Sequence, residues 1–336
     1  MNSYKQWHWP RLPSPLPKDV SDRALMGYSE QYQEHPLQAK VGEAFADLLQ
    51  APLDVLLAIL EQPRHPLARR IGAGEVLALR GDPRIDTFAP DMIDIPAARV
   101  HIGLDPGAVA QVMDQFDGLG LDRSWIEKET PRHAVELAAF RIARFPVTHQ
   151  EYRQFLLDSG HAGIPDGWAF GRYPRHHANH PVYSVSASDA DAYARWLSER
   201  TGRRFALPTE AQWEYAAAGA EGRQFPWGDA YQVEHANTAE LGYLDSTPVG
   251  VFIDAASPFG VLDMAGNVEE YVAEDYQPYP GGPRIEDDLV LDVGTHRVAR
   301  GGSFTRFRDL ARTARRHGRY PRPIYVMGLR LVENHN

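Results

Sequence analysis

The chain has 336 residues, no cysteine and a formal charge of −10, from 35 basic and 45 acidic side chains. Those numbers exclude disulfide scaffolds, thiolate zinc sites, iron–sulfur clusters, thiol nucleophiles and copper held by a thiolate pair, and they argue against a duplex-binding surface. The 28 glycines and 26 prolines describe a globular chain rich in loops.

Residues 1–35 are polar, proline-bearing and without a sustained period, so they read as an arm. The first ten residues lack the charged start and apolar stretch of a secretory signal. The longest apolar region, 51–60, is too short to span a bilayer and carries Asp54. The expected setting is cytoplasmic, with no membrane and no nucleic-acid partner. Over 37–61, Val41, Phe45, Leu48 and Leu49 repeat at helical spacing, and Pro52 suits the first turn of a second helix carrying Val55, Leu56, Ile59 and Leu60. This predicts a helical hairpin or a kinked helix, ended by Pro63 and Pro66. A boundary near 80–85 then divides the chain into a helical segment (1–85) and a main domain (86–336).

The main domain begins with short strands, a strand pair over 92–103 and another strand over 134–145. Three helix starts follow: Thr148 with Glu151, Ser186 with Asp189, and Thr209 with Gln212, the last two closed by Gly202 and Gly219. After about residue 221 almost nothing is helical by pattern, and loops of that length need an organiser, for which bound ions are the usual means. Charge is segregated there: 263–292 holds nine carboxylates and one arginine, and 297–330 holds ten arginines and one acid, Asp309. Either two solvated faces partly neutralise each other, or the arginines form an anion-binding pocket.

An ordered series of blocks carries a resemblance. It includes Pro146, Val147, Thr148, Glu151 and Tyr152, then His180, Pro181 and Val182, then 207–216 from Leu207-Pro208-Thr209-Glu210 through Trp213 and Glu214. It continues with Phe225, Pro226, Trp227 and Gly228, then Asp263, Met264, Gly266, Asn267 and Val268, then Arg300, Gly301, Gly302, Ser303 and Phe304, and ends with Gly328, Leu329 and Arg330. Over about 90–332 this resembles the sulfatase-modifying-factor family, which includes formylglycine-generating enzyme, the catalytic part of ergothioneine-type sulfoxide synthases, and a pyoverdine-maturation oxidase. The resemblance implies an α+β, C-type-lectin-like fold with little regular secondary structure, here behind an N-terminal helical extension, and often with calcium.

Family membership does not settle chemistry. The family's calcium loop implies ligands at Asp263, Gly266, Val268 and Glu270, hard oxygens on a turning loop of the kind calcium takes. The competing reading is a turn held by Asp263 capping its own loop. A second calcium site keeps Asn237 and Thr238, with Glu240 the one residue that could replace a missing aspartate. Formylglycine chemistry does not transfer, because Arg306 and Ala311 stand where the family's copper cysteines would be. The helical segment also lacks the HxxxHxE spacing from which sulfoxide synthases take iron; it contains His35 and His65, and neither starts that motif.

The expected function is an oxygen-dependent oxidoreductase, using nonheme iron or no metal, acting on a small-molecule or peptide-like biosynthetic intermediate. The candidate catalytic residues are Glu269, Tyr271, Ser303 and His317, with Arg306, Arg308, Arg312, Arg315 and Arg316 holding an anionic substrate group. Glu269 stands where the family commonly has Trp, so it is read either as a solvated or calcium-supporting acid or as a general acid/base or metal ligand. His176 and His177 are a candidate transition-metal pair, set against a surface role. A non-catalytic binding or immunity protein on the same fold is the alternative.

Overall fold

Apolar spacing in the helical segment produces three packed helices in the computed structural model, which describes residues 20–334. The predicted arm therefore lies outside the described residues up to position 19. A single turn, α1 (Asp22–Leu25), precedes α2 (Pro36–Leu48), which opens on a His35 capping box, and α3 (Leu53–Glu61). Pro66 was expected to end this segment and instead caps the start of α4 (Leu67–Arg80). A proline lacks only an N–H that a helix start leaves unbonded, so Pro66 suits the beginning of α4, while α3 has already ended at Glu61 ahead of Pro63. Gly72 lets α4 cross α2 closely: a Cβ there would lie 2.9 Å from the Phe45 amide nitrogen. Leu56, Leu60, Ile71, Val76 and Leu77 are fully buried and pack with Leu241, Val251 and Phe252 of the later chain. Each such side chain contributes about 1.5–3 kcal/mol of burial, which fastens the helices to the main domain.

The expected strand pair over 92–103 is two strands that do not pair with each other. β1 (Met92–Ile95) joins a four-stranded sheet and β2 (Ala98–Ile102) a separate two-stranded one. Two short helices, α5 (Val109–Gln115) and α6 (Arg123–Glu127), intervene. The single strand expected over 134–145 is likewise divided, into β3 (His133–Leu137), which pairs with β2, and β4 (Phe140–Ala143), which pairs with β1. The three predicted capping boxes all form, at the starts of α7 (His149–Ser159), α8 (Ala187–Thr201) and, after β5 (Phe205–Ala206), α9 (Glu210–Ala218).

Beyond α9 come β6 (Glu269–Asp275), the short α10 (Asp288–Val293), β7 (Arg297–Arg300), β8 (Met327–Leu329) and β9 (Val332–Asn334). β6 lies between antiparallel β7 and parallel β8, while β9 closes the first sheet between β4 and β5. The irregular stretches here are organised by buried arginines. Arg300 bonds Glu210 and Glu214, Arg316 grips Glu210 through two nitrogens, and Arg312 grips Glu129 in the same way. Arg330 bonds Glu270 and the carbonyls of Ala143, Arg144 and Leu262. The arginine-rich segment therefore turns largely inward, pairing with Glu129, Glu210 and Glu214 from earlier in the chain and with Glu270 of the acidic stretch, which corrects the expectation of two neighbouring charged surfaces. Among the described residues no helix is long and apolar enough to cross a membrane.

Candidate functional site

Glu269 is the first residue of β6 and is fully buried. A carboxylate at 0% exposure needs partners, and two of the predicted residues supply them. His317 is held against β7 by paired backbone hydrogen bonds with Ala299, of 2.8 and 3.0 Å, which aim its ring at β6. Its Nδ1 lies 2.6 Å from Glu269 Oε2. A carboxylate only accepts, so Nδ1 carries the proton and Nε2 presents a lone pair. Arg306 completes the group, with Nε 3.5 Å from Glu269 Oε1 and its guanidinium 3.7 Å from the centre of the Tyr325 ring. The Tyr325 ring also stacks on His317 at 5.6 Å and touches Tyr320 at 5.1 Å.

Electrostatics set the protonation states. Burial pushes Glu269 upward, but His317 and Arg306 outweigh it and hold the carboxyl below its usual range. For His317 burial is the largest influence and, with Arg306 and Arg315, holds the imidazole below its usual value against the pull of Glu269. At neutral pH the pair is an ionised carboxylate and a neutral imidazole. The His317 side chain keeps 15% exposure, while Arg306 Nε and Nη2 are buried without an aligned hydrogen bond. The cluster thus holds a base with an open nitrogen beside a cation with unspent donors.

Other predicted residues lie elsewhere. Tyr271 packs in the core, its hydroxyl 3.5 Å from the Val185 carbonyl and its pKa pushed up to about 12 by burial. Ser303 is buried and shares its hydroxyl with Thr305 at 3.0 Å. Arg308 bonds Glu240, and Arg312, Arg315 and Arg316 are interior anchors. Their expected role on an open cleft gives way to structural ion pairing: Arg312, Arg315 and Arg316 are almost wholly shielded from solvent, while Arg308 is partly exposed and held by Glu240. Tyr320 and Tyr325 escaped sequence reasoning: they sit in irregular chain, and no periodicity marks them.

In the calcium loop, Asp263 adopts a φ of +57°, and its Oδ2 accepts from the Gly250 amide while the buried Oδ1 has no hydrogen-bond partner. Gly266 pairs with Asn237 across an isolated bridge, and Asn237 Oδ1 is likewise buried and unpaired. Unsatisfied oxygens of this kind fit a hard cation. Glu270 departs from the expected ligand set, because Arg330 and the Trp213 indole take its carboxylate. Val268 is buried beside it, and Thr238 bonds Glu240 at 2.6 Å. The His176 and His177 rings meet at 4.2 Å with a 54° tilt, His177 stacks on His180, and His177 Nε2 lies 3.5 Å from Asp245. Among the described residues no three His, Asp or Glu side chains gather to hold a metal, so this pair lacks a third ligand of those types and the expected iron has no side-chain set that fits it.

A mixed helix-and-sheet scaffold with a buried carboxylate–imidazole pair beside an arginine is the class the geometry defines. Residues 82–335 match the sulfatase-modifying factor enzyme 1-like domain, and the chain belongs to that family. A hercynine oxygenase of Mycolicibacterium smegmatis is 32% identical over 303 residues, covering 77% of this chain and 67% of the relative. That of Mycobacterium tuberculosis is 33% identical over 244 residues, covering 62% and 55%. A formylglycine-generating enzyme of Streptomyces coelicolor is 31% identical over 233 residues, covering 52% and 71%. The chain spans about half to two thirds of the length of these hercynine oxygenases. Among solved structures, PvdO from Pseudomonas aeruginosa superposes with a TM-score of 0.55 at 27% identity, over 74% of this chain and 95% of PvdO.

Proposed function

We propose that the protein is an oxygen-dependent oxidoreductase acting on a small-molecule or peptide-like intermediate, with Glu269, His317, Arg306 and Tyr325 as its reaction centre on a C-type-lectin-like fold. The carrying observation is the 2.6 Å contact between His317 Nδ1 and a buried Glu269, which leaves Nε2 free to act as a base. The names of the hercynine oxygenases support oxygen chemistry on a small molecule in this family. In the reaction, His317 Nε2 removes a proton from the bound substrate, and Glu269 stabilises the imidazolium that forms. Arg306 holds the negative charge left on the substrate. Two electrons pass from that electron-rich anion to dioxygen; the substrate loses two electrons and two protons in all, and dioxygen becomes hydrogen peroxide. No step is routed through iron. Calcium would have a structural part, held at the loop that leads into β6 by Asp263 Oδ1 and main-chain carbonyls.

Oxygen uptake and peroxide release test the reading, with hercynine and with fractionated small molecules from the source cells as substrates. At least one should support uptake by the protein, and His317→Gln should abolish it while leaving the circular dichroism spectrum unchanged. A protein that consumes no oxygen with any fraction, or an unimpaired His317→Gln variant, overturns it.

A further inference from the structure

A cavity of about 260 Å³ lies where the helical segment meets the histidine turn of the main domain. Gly42 and Phe45 of α2, Glu75 and Leu79 of α4, and His176 and His177 line it. It shares no residue with the Glu269–His317 centre. We propose that this cavity binds a small organic cation, an ammonium group carried on an apolar body.

Charge is the first argument. The lining holds one carboxylate, Glu75, and neither lysine nor arginine. A second carboxylate, Asp245, stands behind the wall, 3.5 Å from His177 Nε2. Tyr243 donates to Glu75 Oε1 at 2.5 Å, which fixes the carboxylate without neutralising it. His177 adds no positive charge: it is pushed down to about 4 by burial and by His176, so at neutral pH it accepts hydrogen bonds. Glu75 itself is pushed upward by burial, eased by the Tyr243 hydrogen bond and worsened by Asp245. An ammonium group placed here gains an ion pair in a partly shielded site and donates to His177.

Shape is the second. Phe45 and Leu79 supply an aromatic and an aliphatic wall, which suits the methylene or ring portion of an amine and allows a cation–π contact. Gly42 sits within a regular helix, where glycine costs about 0.5–1 kcal/mol relative to alanine. A Cβ at this position would meet nothing within 4 Å. Close packing therefore does not require the glycine, and what its missing side chain preserves is open space at the cavity wall.

Calorimetric titration of the full chain with benzylammonium tests the proposal, with benzyl alcohol and benzoate as controls of matched shape. Benzylammonium should bind, and the controls should be weaker by about tenfold or more. Glu75→Gln keeps the acceptor for Tyr243 and should weaken amine binding by about tenfold. Gly42→Leu fills the cavity, should abolish binding and should leave the melting temperature equal or higher, so a loss cannot be blamed on misfolding. Equal binding of the amine and the alcohol, no binding of the amine, or undiminished binding by Gly42→Leu would each overturn the proposal. None of these outcomes touches oxygen uptake at His317, so the two readings fail separately.

Discussion

Glu269 shows how one substitution against a family pattern acquires meaning only through its neighbours. An acid in place of an aromatic reads equally well as a solvated charge, yet burial at 0% exposure removes that option and the contact with His317 gives the charge a task. Its influence on the imidazole has a definite sign. Glu269 raises the His317 pKa against the larger lowering effect of burial, so Glu269→Gln should lower it further. The base is active when neutral, which makes the oxidation rate rise with pH through the His317 pKa. In the variant that rising limb should move to lower pH, while the plateau falls by about 10²-fold or more because the imidazolium loses its counter-ion. A rate profile measured over acid to neutral pH checks both changes; an unmoved limb would remove Glu269 from the pair.

Among the elements, what could be read in advance was what is local. Thr148 and Glu151, or Thr209 and Gln212, meet within one helical turn, so their capping boxes follow from spacing alone and all form. Pairing is not local. Nothing within 92–103 says that β1 will bond Ala143 while β2 bonds Leu137, and the same holds for Arg316, whose partner Glu210 lies on a distant helix. The reaction centre shares this character: the family blocks drew attention to Glu269, Arg306 and His317, but Tyr325 joined only through the fold. Helix glycines illustrate the same division. Gly42 and Gly72 look alike in sequence, yet a Cβ at Gly72 would strike the α2 backbone and one at Gly42 would strike nothing. Gly72→Ala should therefore destabilise by about 1–3 kcal/mol through overpacking, and Gly42→Ala should stabilise by up to about 1 kcal/mol. Urea denaturation of the two variants separates these outcomes, and a matching sign would refute the distinction.

At the scale of the whole molecule, the cysteine-free, acidic chain uses its charge internally. Arg300, Arg312, Arg316 and Arg330 are among the largest fully buried side chains, and their carboxylates reach across from α9, β6 and the turn after α6. Such pairs specify an arrangement more than they stabilise it, since desolvation offsets much of their attraction. The loops they organise still leave Asp263 Oδ1 and Asn237 Oδ1 buried and unsatisfied, each costing about 1–3 kcal/mol if nothing binds there. An oxygen-ligated cation removes that cost and stabilises only the folded chain. Dialysis against a chelator should accordingly lower the melting temperature by several degrees, with calcium restoring it and magnesium doing so less well, because magnesium demands tighter octahedral geometry. Asp263→Ala should melt low under both conditions and respond to neither ion. If the native chain also melts identically with chelator and with calcium, the two oxygens are satisfied some other way and the loop before β6 is held by Arg330 and Trp213 through Glu270 alone.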